Sequence, residues 1–129
     1  MTESGVRLIL VLALALAAGR AGAADADTEI EYLLDFVAGS GCTFVRNGSE
    51  HDPVDAADHL RLKYRRGAKY VNSAEQFIDR LASESSWTGK SYTVTCDGKT
   101  QPTGQWLHLA LEAYRQGATA ATPGQPAGD

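Results

Sequence analysis

Residues 42–64 concentrate the side chains that could bind or transform a ligand. They include a cysteine, two of the three histidines, and Arg46 followed by an Asn-Gly dipeptide. Guanidinium, ammonium and imidazole groups bind carboxylates and phosphates through charge-assisted hydrogen bonds. The segment therefore predicts a surface for an anionic group. The candidate binding residues of the whole chain are Arg46, Asn47, His51, His59, Lys63, Ser85 and Ser86.

Local signals predict how this segment folds. Residues 43–46 are β-branched and aromatic enough for a short strand, and Asn47-Gly48 tolerates the positive φ values of a tight hairpin turn. Asp52 is a suitable N-cap, and Pro53 suits the first position of a helix that we expect to end at Gly67. A strand end, a turn and a helix would then hold the candidate residues.

The predicted helix places its polar residues on different faces. His59 and Lys63 are four residues apart, so they share one border of the apolar face. We expect Arg61, Arg65 and Arg66 to point elsewhere. In the alternative interpretation, each of these polar residues only stabilises the fold or lies on the solvated surface. The residues expected to converge on one side of the domain, near a loop at 83–86, are Arg46, His51, His59 and Lys63.

Residues 83–90 are rich in hydroxyl groups and lack the apolar spacing of a helix. Serines compete for backbone hydrogen bonds, so this segment is predicted to be a loop that either caps a helix or lines the anion surface. A hydrolase that uses Ser85 or Ser86 with His51 or His59 is an alternative function. A serine nucleophile needs a base and a group that orients the base. The chain has no G-x-S-x-G or S-x-x-K motif, and we assign no catalytic residue.

Residues 1–23 are predicted to be a secretory signal peptide. Arg7 precedes the apolar run 8–18, and Ala21-Gly22-Ala23 has the A-x-A pattern of a cleavage site. The apolar run is too short to cross a bilayer, which takes about 20 residues. A retained membrane anchor is the alternative. We expect a soluble protein of the periplasm or a secreted one, without stable membrane insertion after cleavage near Ala23.

The charge balance limits the class of partner. Cleavage after residue 23 would leave 10 basic and 15 acidic residues. Because binding to a phosphate backbone needs a dominant basic surface, this balance argues against nucleic acid.

The two cysteines, Cys42 and Cys96, indicate a disulfide, because an exported protein meets an oxidising compartment. A metal site built from one cysteine with His51 and His59 is the alternative, but these residues lack paired ligand spacing. We predict no metal and no cofactor.

Apolar residues at helical spacing, together with alternating segments, predict an α+β fold of about four short helices packed on a small antiparallel sheet. Thr28 with Glu31, and Ser73 with Gln76, match capping boxes of two helices. Thr103 would cap the last helix. The residues of that helix expected to face inward are Trp106, Leu109, Ala110 and Ala113.

Residues 92–96 alternate as a strand does, and Asp97-Gly98 is a second hairpin-type turn. A disulfide from Cys96 would place this strand beside the first one, so both strand systems would share one sheet. Residues 24–117 would form a single domain, followed by a disordered tail over 118–129 with nothing to bury.

Four motifs follow one another along the chain: FVRNGSEH, HLRLKY, AEQFIDRLAS-x-SS and TGKSYTV. Together they resemble the YfeK-like family of small exported bacterial proteins, a domain of unknown function, over about residues 29–114. The resemblance implies a periplasmic location and one domain, and it brings no reaction, cofactor or active site. The cysteine pair departs from at least some members of that family.

These observations favour a binding or accessory protein of the bacterial cell envelope. Its partner would be an unknown envelope protein or a small anionic ligand, such as a cell-wall fragment or a peptide carboxylate. The alternatives are the serine/histidine-dependent hydrolase and a purely structural envelope protein. The missing catalytic motifs argue against an enzyme.

Overall fold

A computed structural model describes residues 25–117, and it confirms the predicted α+β class with four helices and a four-stranded antiparallel sheet. The helices are α1 (Ala26–Ala38), α2 (Pro53–Gly67), α3 (Ala74–Phe77), which continues as a π-helical turn (Ile78–Ala82), and α4 (Thr103–Arg115). The strands are β1 (Thr43–Arg46), β2 (Ser49–His51), β3 (Thr93–Cys96) and β4 (Lys99–Pro102).

Two tight hairpins build the sheet. Asn47 and Gly48 have φ values of 51° and 81°, and Asp97 and Gly98 have 51° and 80°. These left-handed conformations are the ones that a two-residue turn between antiparallel strands needs at both central positions. Both predicted turns are therefore confirmed. The strand order is β2-β1-β3-β4, so the two hairpins pair through β1 and β3.

A disulfide between Cys42 and Cys96 ties the two central strands together, as predicted, with 4.7 Å between the Cα atoms. Cys42 directly precedes β1 and Cys96 ends β3, and the register pairs Thr43 with Thr95. The cross-link joins residues 54 positions apart. Restricting the unfolded chain by a loop of this length stabilises the fold by about 4 kcal/mol on the chain-entropy model.

The core forms where the apolar helix faces meet one face of the sheet. Phe44 and Val94 lie opposite each other on β1 and β3, and both are buried. The Phe44 ring meets Trp106 of α4 edge to face, with 5.6 Å between the centroids. Helix α1 buries one face in this core because its apolar residues recur at helical spacing. The residues of α1 that are at most 1% exposed are Ile30, Leu33, Leu34 and Val37.

The structure corrects the predicted caps of α1 and α4. Asp25, not Thr28, is the N-cap of α1, and its carboxylate accepts the Thr28 N–H. Thr28 already lies in the first turn, where its side chain can no longer act as the cap. Thr103 likewise lies inside α4. The N-cap of this helix is Pro102, which forms no side-chain cap hydrogen bond.

Elsewhere the predicted helix features have mixed outcomes. Ser73 is the N-cap of the third helix, as predicted, and accepts the Gln76 N–H. Helix α2 ends at Gly67, as predicted; the φ of Gly67 is −110°, and a 3-10 turn, Ala68–Tyr70, follows. Leu109 was expected to face inward and is 61% exposed, so that assignment is wrong.

The predicted signal peptide (1–23) and the predicted tail (118–129) lie outside the described residues. Among the helices of residues 25–117, none combines the length and apolar character needed to cross a membrane.

Candidate functional site

A concave pocket of about 510 Å³ lies between α2, the end of β1 and the loop at 83–90. We call it the basic pocket. Its volume falls within the range of about 300–1,000 Å³ that is usual for small-molecule sites. The lining side chains that carry charge or aromatic surface are Arg46, His59, Lys63, Arg66, Trp87 and Tyr92.

Three cationic side chains, Arg46, Lys63 and Arg66, line the basic pocket, and none of its lining residues is acidic. Within residues 25–117, none of the three forms a salt bridge with a carboxylate. No carboxylate of this part of the chain therefore competes for them with an oxyanion, which Arg binds with a fork of donors and Lys as a compact charge.

Lys63 is held by neutral acceptors. Its ammonium donates to the Tyr92 hydroxyl at 3.0 Å and to the backbone carbonyl of Glu84 at 3.2 Å. Burial lowers the pKa of Lys63, the positive charge of Arg46 lowers it further, and the Glu84 carboxylate acts in the opposite direction. The net lowering means that burial and Arg46 together disfavour the ammonium more than the Glu84 carboxylate favours it.

His59 is neutral at pH 7. Burial is the main cause that lowers its pKa to about 4, and the charges of Arg46, Lys63 and His51 add to the effect. Its Nε2 atom lies 3.5 Å from the Tyr92 hydroxyl. Burial also raises the pKa of Tyr92, so the phenol stays protonated. The positive charge of the pocket at neutral pH therefore resides on its arginine and lysine side chains.

Ser85 organises the loop that closes one side of the pocket. It is buried, and its Oγ accepts hydrogen bonds from the Asn47 amide at 3.2 Å and from the backbone N–H groups of Trp87 and Thr88 at 3.1 and 3.2 Å. The Thr88 hydroxyl donates to the Asn47 Oδ1 atom at 2.7 Å. The Asn47 side chain, in the β1–β2 turn, therefore fixes this loop from outside.

The loop is also hydrogen-bonded to itself. The Ser85 N–H donates to the Lys90 carbonyl at 2.9 Å, and the Gly89 N–H donates to the Ser85 carbonyl at 3.0 Å. Gly89 has a φ of 74°, a conformation that favours glycine. Trp87 lies at the tip of this braced loop and is 94% exposed.

The structure places the predicted binding residues in two neighbouring hollows. His51 is absent from the lining of the basic pocket and instead lines a smaller hollow of about 30 Å³. The two hollows share Arg46, His59 and Tyr92. The predicted binding residues that line the basic pocket itself are Arg46, Asn47, His59, Lys63, Ser85 and Ser86.

The alternative metal site has no thiolate, because Cys42 is bonded to Cys96. In the described part of the chain, no three His, Cys, Asp or Glu side chains are grouped so that they could hold a metal ion.

The hydrolase alternative lacks its Ser–His pair. The His59 ring contacts Tyr92 and the His108 ring contacts Asp79, and no histidine hydrogen-bonds to a serine among residues 25–117. The oxygen of Ser85 already accepts three N–H groups, an arrangement that suits a turn and not a nucleophile.

Sequence reasoning missed three of the charged and aromatic residues that line the pocket, Arg66, Trp87 and Tyr92. Arg66 was expected to point away, and that was wrong because it follows His59 by seven positions and Lys63 by three, so all three share one stripe of α2. That spacing could have identified it. Trp87 and Tyr92 carry no such local signal, because only the tertiary fold brings loop 83–90 and the start of β3 to α2.

Comparison with known proteins gives a family but no activity. The model of a family described as "Family of unknown function (DUF5329)" matches residues 24–115. The uncharacterized protein YfeK of Salmonella typhimurium strain LT2 is 54% identical over 50 residues, which is 39% of this chain and 42% of YfeK. The chain therefore matches less than half the length of this curated relative. The resemblance to YfeK-like proteins is confirmed, and no solved structure matches the chain.

Proposed function

The chain belongs to DUF5329, a family of unknown function, and we propose that it is an exported binding protein whose basic pocket holds an anionic ligand. The observation that carries this proposal is the grouping of Arg46, Lys63 and Arg66 in one concave pocket with no salt-bridge partner among residues 25–117. Each cation offers charge-assisted hydrogen bonds to a carboxylate or a phosphate.

The energetics of the pocket support ligand binding. Placing a partly buried ammonium near a second cation is unfavourable, and the lowered pKa of Lys63 reflects that cost. A bound anion would offset the repulsion between Lys63 and Arg46 by supplying opposite charge. The charges of the pocket therefore favour a complex with an oxyanion.

The shape of the pocket supports a small ligand over a broad protein partner. A stable protein interface buries about 800 Å² on each side. The cations here instead line a hollow that could enclose a ligand group. A peptide carboxylate or a small anionic metabolite fits such a hollow.

The disulfide supports an oxidising compartment, in line with the proposed signal peptide. We expect full-length protein expressed in a bacterium to be recovered from the periplasm or the medium with a new N-terminus near Ala24. N-terminal sequencing checks this. Recovery of the intact leader on membrane-bound protein would contradict the proposed export and cleavage.

Calorimetric titration with methyl phosphate and with acetate tests the binding proposal. Arg66→Gln and Arg46→Gln should each weaken binding of the preferred anion by about tenfold or more, because a hydrogen bond to a charged group contributes about 1.5–3 kcal/mol. Higher salt should weaken binding by the wild type as well.

Arg65→Gln is the matched control, since Arg65 is the exposed neighbour of Arg66 on α2 and does not line the pocket. We expect Arg65→Gln to bind the anion as the wild type does, with all variants melting at similar temperatures. If neither anion binds at millimolar concentration, or if Arg65→Gln loses as much affinity as Arg66→Gln, the proposed function is wrong.

A further inference from the structure

Trp87 combines almost complete exposure with a fixed position at the rim of the basic pocket. Single exposed apolar side chains are ordinary on protein surfaces. This one differs because its loop is held by hydrogen bonds to the Ser85 and Asn47 side chains as well as by its own backbone. Ordering a loop costs conformational entropy, and burial of the indole does not offset it here.

The pocket is larger than a lone oxyanion requires. His59 and Arg66 are seven residues apart, so the polar stripe of α2 extends for about 10 Å at 1.5 Å per residue. The lining also includes apolar surface, supplied by Leu81 and the Trp87 indole. A small inorganic anion would contact the cations and leave these surfaces uncovered.

Cations near an exposed aromatic surface define the chemistry of a ligand. The charged end of the ligand would contact Arg46 and Lys63, and its apolar part would cover Trp87. Aromatic side chains bind rings by offset stacking, and the indole presents the largest face of any side chain. A flat or puckered ring with an apolar face therefore fits better than a flexible chain, which would lose more entropy on binding.

We propose that the basic pocket selects an anion carried by a ring, with the ring stacked on Trp87 and the carboxylate or phosphate bound by Arg46 and Lys63. The anionic half of this inference rests on the proposed function. The ring is either aromatic or a sugar, since both present an apolar face. Trp87 would then determine specificity, whereas the cations would supply binding to any small oxyanion.

Matched probes separate binding of the charged group from stacking of the ring. Calorimetric titration would compare methyl phosphate with phenyl phosphate and glucose 6-phosphate, and acetate with phenylacetate and glucuronate. We expect at least one ring-bearing anion to bind about tenfold more tightly than the ring-free anion of the same charged group. Phenol and glucose, which carry a ring without the charge, should bind more weakly than either. The preferred ring shows whether the source is aromatic or a sugar.

Trp87→Ala should abolish the advantage of the ring and leave the affinity for methyl phosphate or acetate within about twofold, while Trp87→Phe should restore part of the advantage. Tyr70→Ala is the control, because Tyr70 is another exposed aromatic residue, 61% accessible, outside the pocket lining. Fluorescence adds a direct signal. Trp106 is buried, so a blue shift on ligand addition that is lost in Trp87→Phe reports covering of the indole.

Three outcomes decide between the proposals. Equal affinity for ring-bearing and ring-free anions, or an unchanged ring advantage in Trp87→Ala, overturns this inference and leaves the proposed function standing. Failure of every anion to bind overturns both. Loss of the ring advantage in Trp87→Ala but not in Tyr70→Ala, with small-anion binding retained, supports both.

Discussion

Two groups of charged side chains in this domain are built on opposite principles. Arg115 donates to both carboxylate oxygens of the buried Glu29, at 2.8 Å each, and to Glu75 at 2.6 Å. These hydrogen bonds raise the pKa of Arg115 and lower the pKa of Glu75. In the basic pocket, burial and Arg46 instead lower the pKa of Lys63.

The sign of each shift indicates what the charge does. A raised pKa of a base or a lowered pKa of an acid shows that the folded state stabilises the charged form, as in the Arg115 cluster. A lowered pKa of a base shows that the folded state disfavours the charged form, as at Lys63. We therefore expect the charges of the Arg115 cluster to stabilise the fold, and the cations of the basic pocket to bind a ligand.

The largest effect expected from this comparison is a loss of stability in Arg115→Met. Removing the guanidinium would leave the Glu29 carboxylate buried and unpaired, which typically costs 3–5 kcal/mol, and we expect about 3 kcal/mol because Arg115 itself is 39% exposed. Urea-induced unfolding measures the change. Such a loss is a large fraction of the total stability of about 5–15 kcal/mol of a small domain.

A surface pair supplies the matched control for Arg115→Met. Arg61 bonds Glu31 at 2.9 Å, with both side chains substantially exposed. Arg61→Met should therefore cost no more than about 1 kcal/mol. If Arg115→Met costs as little as Arg61→Met, the Arg115 cluster does not support the fold and the comparison fails.

Lys63→Met should have a smaller effect on stability, within about 1 kcal/mol of the wild type. The substitution removes two hydrogen bonds of the ammonium, but it also removes a charge that burial and Arg46 disfavour. Binding of the preferred small anion should fall by about tenfold, since a charge-assisted contact is lost. Urea unfolding and calorimetric titration of the same preparation separate the two effects.

The opposite pattern would contradict this prediction. If Lys63→Met unfolds the domain, or loses as much stability as Arg115→Met while anion binding is retained, then Lys63 serves the fold and the basic pocket loses its main support.

Where chemistry is local, the sequence predicted the structure. Asn47-Gly48 and Asp97-Gly98 gave both hairpins because few other dipeptides accept two positive φ values in succession. The pair Cys42 and Cys96 gave the link between the central strands. The caps were harder, since Asp25 and Thr28 both have the side-chain chemistry of an N-cap and only the helix start distinguishes them.

The predicted residues of the pocket come from α2, from the end of β1 and its turn, and from the serine loop, but its aromatic residues were not predicted. The spacing of His59, Lys63 and Arg66 places them on one stripe, although Arg66 was assigned to another face. The opposite wall comes from Trp87 and Tyr92, which the fold brings to α2 across more than 20 residues of chain. Ser85 was selected for its hydroxyl, but its burial and its loop-forming role follow from contacts that no local pattern encodes.

The last prediction is a pH dependence of stability that arises from His59. Its pKa is lowered from 6.5 to about 4 in the folded protein, chiefly by burial, with Arg46, Lys63 and His51 contributing. Below about pH 6.5 the unfolded chain binds a proton at this position, whereas the folded protein does not until about pH 4. The free energy of unfolding should therefore decrease as the pH falls through this window, and the stability that neutral His59 contributes should be fully present above pH 6.5.

His59→Gln should show a shallower decrease than the wild type between these two pH values, measured by urea unfolding. NMR titration of the His59 ring provides the direct check. A ring that titrates near pH 6.5, or identical pH profiles of the two proteins, would show that the pocket does not disfavour positive charge at this position and would remove one side of the comparison.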